Sequence, residues 1–387
     1  MNVHASIAEM AVAAAPGRSR AIPTALYAVL FASTSVIVGV LWDISWHQTI
    51  GRDTFWTPAH LAIYLGGVVA GLTCGWLALH TTFAGSAETR AQSVRFWGFM
   101  APFGAWVCIW GTLAMLTSAP FDDWWHNTYG LDVTILSPPH AVLAAGIGAI
   151  QIGAMLMAVA LQNRSAGSDA RLIMLYLCSA GLLLVNASII GSEYLERWGM
   201  HQALFYMVAC GIFPFFLVST ARASLARWPA TTAAVVYTVV KASMIWILPL
   251  FAARALLGPI YVQVDRFIPT SFPLMLIAPA VAIDLVIRRI GGGRDWRLAA
   301  ATGVAFLAVF VPAQWMFATF YVSPTSSNWF FGGHLMPYFV DPSAQQRWFV
   351  LRPPDSLALG LPIAGLLAVA SARLGLWWGN WMSRVRR

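Results

Sequence analysis

The chain groups its hydrophobic residues into ten long apolar blocks separated by short polar stretches. They lie at roughly 24–43, 59–82, 95–117, 139–162, 171–192, 201–220, 231–252, 268–288, 298–321 and 357–378. Each approaches the ~20 apolar residues that a helix needs to cross a bilayer. The pattern predicts an all-α fold, a polytopic membrane helical bundle of about ten transmembrane helices. Residues 1–22 are weakly apolar and alanine-rich, and Arg18 and Arg20 follow that stretch rather than precede it. They read as a tail, not a signal peptide. Residues 23–162 form one four-helix region and 163–387 a six-helix region, with a large loop at about 322–356 that is rich in Pro, Gly and aromatic residues.

Composition agrees with this picture. Of 387 residues, 59% are hydrophobic and 10% charged, against about 25% charged in an ordinary soluble domain. A soluble enzyme, a disordered chain and a disulfide scaffold are thereby excluded. The net charge is +8, and Lys241 is the one lysine beside 22 arginines. The basic residues are scattered through short loops, which points to membrane topology rather than nucleic acid. Fifteen fall in the two termini and one set of alternate loops, and six in the opposite loops. The positive-inside rule then places both termini in the cytoplasm of a bacterial-type inner membrane. The loops after the first and third spans face outward, toward the periplasm. Cys74, Cys108, Cys178 and Cys210 lie inside apolar blocks and read as small buried hydrophobes.

The two outward loops carry a repeat. Trp42–His60 reads WDISWHQTIGRDTFWTPAH, and Phe121–His140 reads FDDWWHNTYGLDVTILSPPH. Asp43 aligns with Asp122, Trp46 with Trp125, His47 with His126, Gly51 with Gly130 and Asp53 with Asp132. After one inserted residue, Pro58 aligns with Pro138 or Pro139 and His60 with His140. Two spans separate the copies, so the repeat is parallel and both copies lie on one membrane face. Asp43 and His47 are four residues apart, as are Asp122 and His126, so each pair shares one face of a helix. His60 and His140 follow Pro at the start of the next span. Each copy thus offers two imidazoles and one carboxylate, a ligand set for a borderline divalent metal such as copper or zinc. Ionisable groups at membrane depth are costly and carry function by default. Interfacial polar packing is the plainer alternative. Haem is disfavoured, because the four histidines cluster at one face, each pair with its own Asp. Asp53 and Asp132 suit the role of accepting a ligand imidazole's other N–H, and Asp53 can instead pair with Arg52. Glu193, Glu196 and His201, at the outward end of the third hairpin, are weaker ligand or proton-relay candidates. Asp284 is placed to pair with Arg288 at i+4.

The string WHQTIGRDTFWTPAHLAIY, Trp46–Tyr64, resembles the C subunit of the particulate methane and ammonia monooxygenases. That family has an Asp-x3-His-x12-His motif with an internal Arg-Asp pair and a Thr-Pro before the last His. Asp43, His47 and His60 fit its spacing, and Arg52, Asp53, Thr57 and Pro58 fit its interior. The second motif is similar to the family's second site, with Asp122 where the family has Asn. The extra carboxylate adds negative charge and favours a divalent cation. The resemblance covers residues 40–145 or so and ends by residue 163. The family subunit is shorter and works with two partner subunits, one carrying a periplasmic copper domain that this chain lacks.

The resemblance implies copper chemistry in the membrane. The expected protein is a copper-dependent monooxygenase or oxidase component acting with dioxygen on a small apolar substrate. Electrons would come from a quinol or a cytochrome, since the sequence shows no flavin or nucleotide motif, and partner membrane subunits would be at hand. A copper or zinc transport or delivery protein, and a non-catalytic membrane subunit, are the alternatives.

Overall fold

The computed structural model describes residues 23–51, 54–130, 136–165, 167–256, 263–291, 295–335 and 356–387. In chain order the helices are α1 (Thr24–Thr49), α2 (Pro58–Phe83), the short α3 (Ala87–Ala91), α4 (Phe103–Tyr129) and α5 (Pro138–Arg164). They continue with α6 (Ala170–Ile190), α7 (Ala203–Ala223), α8 (Pro229–Ile247), α9 (Ile277–Ile290), α10 (Asp295–Tyr321) and α11 (Leu357–Met382). A small hairpin, β1 (Val94–Phe96) with β2 (Phe99–Ala101), precedes α4. Among the described residues, nine helices are long and apolar enough to cross a membrane. Leu72, Phe83, Leu359, Leu366 and Met316 each expose more than two thirds of their surface. Such apolar exteriors suit lipid, and the protein is a polytopic helical membrane bundle.

Three sequence expectations shift. The block at 95–117 does not begin as a helix. Trp97 and Gly98 both take positive φ, at 45° and 87°, which closes a tight β-turn, and Pro102 then caps α4.

The block at 268–288 yields only the 14-residue α9, too short to span. Pro269 and Pro273 break its first half into extended chain. Backbone at this depth needs internal partners, and side chains supply them. Tyr321 Oη accepts from Phe272 N at 3.1 Å, Tyr237 Oη from Leu274 N at 3.0 Å, and Gln314 Oε1 from Met275 N at 3.0 Å. At Ile268, Thr49 Oγ1 accepts from the N–H at 2.9 Å and Ser45 Oγ donates to the carbonyl at 2.6 Å. The unwound strand is therefore tied to the end of α1 that carries Asp43 and His47. Asp284 also departs from expectation. It is buried and caps α8, accepting from Ala230 N at 3.1 Å and from Thr231 N and Oγ1 at 2.9 and 2.7 Å. Arg288 stacks on Trp228 instead, 4.6 Å from the ring centroid.

The repeat seen in the loops extends through the helices. Thr24 and Phe103, which start α1 and α4, lie 79 residues apart, and Pro58 and Pro138, which start α2 and α5, lie 80 apart. A Cβ on Gly66 would sit 2.5 Å from Ala32 O and 3.1 Å from Val36 N. A Cβ on Gly146 would sit 2.7 Å from Gly111 O and 3.0 Å from Met115 N. Gly111 and Met115 are Ala32 and Val36 moved on by the same 79 residues. The two hairpins thus share one close helix crossing. They meet through α2 against α4 and α1 against α5. Gly67 abuts Met115 and Gly71 abuts Thr112, so α2 and α4 are antiparallel and α1 runs parallel to α4. Both motifs therefore lie at the same end of the bundle, here called the motif end.

Candidate metal centre

Each motif is built from the last turns of one helix and the first turn of the next. α4 runs on to Tyr129, so Asp122 and His126 stand one turn apart on its face. Pro138 takes the first helical position of α5, as Pro58 does in α2, which settles the alignment in favour of Pro138. Its fixed φ starts the helix early enough to put His140 in the first turn.

In the second motif, His126 Nε2 lies 3.4 Å from Asp122 Oδ2, and His140 Nε2 lies 3.5 Å from Asp122 Oδ1. One ligand atom from each of the three residues falls within 4.8 Å of the others, a grouping that can hold a metal ion. The first motif repeats the Asp–His pairing, although among the described residues only the second motif's three side chains meet that mutual spacing. His47 Nε2 lies 3.6 Å from Asp43 Oδ2, and His60 Nε2 lies 3.2 Å from Asp43 Oδ1. In both copies the Asp uses one oxygen for each imidazole, and in both it is Nε2 that faces the carboxylate.

The protonation chemistry follows from what lies behind the rings. His60 Nδ1 is 3.0 Å from the Thr54 carbonyl, and His126 Nδ1 is 3.3 Å from the Gly130 carbonyl. A carbonyl only accepts, so each Nδ1 carries a proton toward it, and Nε2 is the ring atom turned to the carboxylate. The buried Asp43 Oδ1 and Asp122 Oδ1 make no hydrogen bond. Unpaired buried acceptors of this kind are costly. A cation held by the carboxylate and the two imidazoles would satisfy these oxygens. The donor set of one carboxylate and two imidazoles fits a borderline divalent metal, and the Nδ1–H to carbonyl bond is the usual support for a ligating His.

Neighbouring residues set these supports. Thr57 Oγ1 accepts from Thr54 N and donates to Thr54 O, both at 2.8 Å, which closes a small ring beneath His60. Thr134 and Ser137 stand at the matching positions of the second copy, and residue 134 lies outside the described residues. Gly51 and Gly130 both adopt positive φ, at 83° and 91°, where a side chain is strained. This explains why both copies use Gly there. Sequence reading missed the Thr54 and Gly130 carbonyls, and the paired Thr and paired Gly in the repeat were the signals for them.

The remaining candidates separate. Asp53 and Asp132 lie outside the described residues. Glu193 Oε1 accepts from Leu136 N at 3.2 Å, so it steadies the loop leading to His140 rather than joining the three ligands. Glu196 is partly buried and is not among the atoms grouped at the second motif. His201 turns to α10, with Nε2 3.3 Å from Thr319 Oγ1 and its ring edge-on to Trp315 at 4.7 Å. Burial there pushes its pKa down, so it favours the neutral form. Lys241 lies 5.9 Å from the Tyr237 ring centroid.

No family model, no curated protein and no solved structure matches this chain.

Proposed function

We propose that the protein is a membrane copper protein, a component of an oxygen-dependent monooxygenase or oxidase acting on a small apolar substrate. One observation carries the metal reading. In both copies a buried carboxylate oxygen without a hydrogen bond faces an imidazole Nε2, and one ring of each pair has its Nδ1 proton committed to a backbone carbonyl. Asp122, His126 and His140 would hold one ion, and Asp43, His47 and His60 the other. The choice of copper rests on the resemblance of residues 40–145 to the monooxygenase subunit, and zinc is the competing ion.

Bound copper would supply one-electron redox chemistry at the site. The chain's own contribution is distinct. Asp43 and Asp122 each offset one positive charge and bridge two rings. The Thr54 and Gly130 carbonyls fix the tautomer, so that Nε2 is ready without reorganisation. His47 and His126 sit in the last turns of α1 and α4, where the negative end of the helix dipole favours a cation. Leu136 and Ala141 continue into an apolar lining beside the second motif, an approach suited to an apolar molecule. Dioxygen, an apolar substrate, partner membrane subunits and a quinol or cytochrome donor complete this reading, with the motif end on the periplasmic side of an inner membrane. Both candidate ligand sets lie at one end of the bundle, and among the described residues no further group of three metal-binding side chains is found, which favours a redox component over a transporter.

Metal analysis of the purified protein, alongside a His47→Ala/His126→Ala double variant, tests the assignment. Copper in the wild type and its loss in the variant, with insertion intact, is the expected result. Unchanged metal content in the variant would sink the ligand assignment, and zinc alone would sink the redox reading. Oxygen uptake with a quinol donor then separates an oxidase from a delivery protein.

A further inference from the structure

Beside the second motif a cavity of about 590 Å³ runs between the two halves of the chain. Its floor is one face of α5, from Ala141 to Leu156, about 22 Å at 1.5 Å per residue. Its walls come from Phe103 and Val107 of α4 and from α6, α7 and α11, the last three belonging to the region 163–387 that has no counterpart in the resemblance. At the motif end it is bounded by Ala141, the residue after His140, and by Leu136. At the far end it is bounded by the aromatic rings of Trp378 and Trp381.

The floor is built for space rather than for helix packing. α5 carries three glycines in this stretch with different surroundings. Gly146 and Gly153 are pressed against α4, where an added Cβ would come 2.7 Å from Gly111 O and 2.4 Å from Cys108 Sγ. Gly148 is not: a Cβ there would meet only Asn186 Nδ2 at 3.4 Å and Leu183 Cδ1 at 4.0 Å. Gly148 and its neighbours Ala144, Ala145 and Ala149 leave a smooth, shallow trough. Three polar side chains stand on the walls, Asn186, Ser219 and Thr220, and the first two are already engaged. Asn186 Nδ2 donates to Ala144 O at 3.3 Å, and Ser219 Oγ donates to Phe216 O at 3.1 Å. The lining is otherwise apolar, and an occupant that carried polar groups along its length would lose their hydration on entry.

We propose that this cavity binds a single unbranched aliphatic chain lengthwise, with one end against the His140 loop and the other at Trp378 and Trp381. Length and apolarity select a chain over a compact ligand, and the volume lies within the ~300–1,000 Å³ range of small-molecule sites. The proposal does not depend on a bound metal. It gives the six-helix region a role, which is to complete a hydrocarbon site that the duplicated region cannot close alone.

Quenching of tryptophan by bromine tests it in the full-length protein held in lipid nanodiscs. Bromododecane should quench the wild type more than a Trp378→Phe/Trp381→Phe variant, because bromine quenches only at contact. Ala145→Phe and Gly148→Leu, which fill the trough, should each cut that excess several-fold. Repeating the titration with phospholipid brominated on its acyl chains identifies the source. Trough-sensitive quenching by that lipid assigns the chain to the bilayer, and quenching by bromododecane alone assigns it to a free aliphatic molecule. Equal quenching in wild type and the Trp378→Phe/Trp381→Phe variant, or an excess that both trough-filling variants leave unchanged, overturns the proposal. Thermal unfolding of the trough-filling variants guards against simple misfolding. Should either variant be unfolded, Ala149→Leu on the same face replaces it.

Discussion

His140 Nε2 lies 3.5 Å from Asp122 Oδ1, and that buried oxygen accepts no hydrogen bond. Asp43 Oδ1 stands in the same relation to His60 Nε2 at 3.2 Å. A chance polar contact at the end of a bundle would have little reason to recur with the same atoms.

The charge of the carboxylate is the first thing to test. Asp122→Asn keeps the size and one acceptor oxygen but removes the negative charge. It should lower affinity for a divalent ion at the second motif by at least about tenfold, since even supporting groups around a metal commonly contribute that much. The first motif should keep its ion. A competition titration with a chelator, read as two sites of unequal affinity, checks this. Equal weakening of both sites would show that the motifs form one shared centre.

Gly130 performs two tasks that a substitution separates. Its φ of 91° ends α4, and its carbonyl receives His126 Nδ1 at 3.3 Å. At φ 91° and ψ 179° Gly130 occupies a region that essentially only Gly adopts, so Gly130→Ala should cost about 1–3 kcal/mol in backbone strain and swing the carbonyl away from the ring. Metal affinity at the second motif should then fall more than overall stability does. Circular dichroism melting together with metal titration distinguishes the two effects.

The extended segment before α9 gives a prediction about the fold alone. Thr49→Val removes the acceptor for the Ile268 N–H. A buried donor left unpaired costs about 1–3 kcal/mol, so the melting temperature should drop. Ser45→Ala leaves a carbonyl short of its donor and should cost less, because an under-satisfied carbonyl is tolerated better than an orphaned N–H. Comparable losses from both would indicate that the segment is held by packing instead.

Much of this was legible in the sequence, for physical reasons. Apolar blocks of spanning length can adopt only one structure in lipid, so nine spanning helices were foreseeable. The Asp-x3-His spacing carried the pairings, because four residues is one helical turn. The eighth block misled because hydropathy counts Pro269 and Pro273 as ordinary members of an apolar run, whereas their missing N–H groups break the helix. The local i+4 pairing expected of Asp284 gave way to the orphan N–H groups at the start of α8, which lie far away in sequence. The Thr54 and Gly130 carbonyls were invisible because backbone acceptors carry no residue signature. The cavity escaped notice for a similar reason: alanines on one face of α5 show where space is left but not what lies across it.

The repeat makes a final prediction with an internal control. Gly66 and Gly146 occupy the same place in the two hairpins, and each would press a new Cβ into a carbonyl of the facing helix, at 2.5 and 2.7 Å. Backbone carbonyls in a packed helix pair cannot yield as a flexible side chain does, so the helices must part. Gly66→Leu should therefore open α1 from α2, and Gly146→Leu should open α4 from α5. Either variant draws apart the two helices that hold its own Asp and second His, so each should lose its own metal while the other hairpin keeps its ion. Gly148→Leu, two residues along on α5 and facing the trough, should leave both ions in place. Metal stoichiometry of the three variants, measured on protein still folded in detergent, decides the matter. Loss of both ions from either tight-glycine variant would show that the hairpins depend on each other, and retention of both would show that the glycine crossings do not set the ligand geometry.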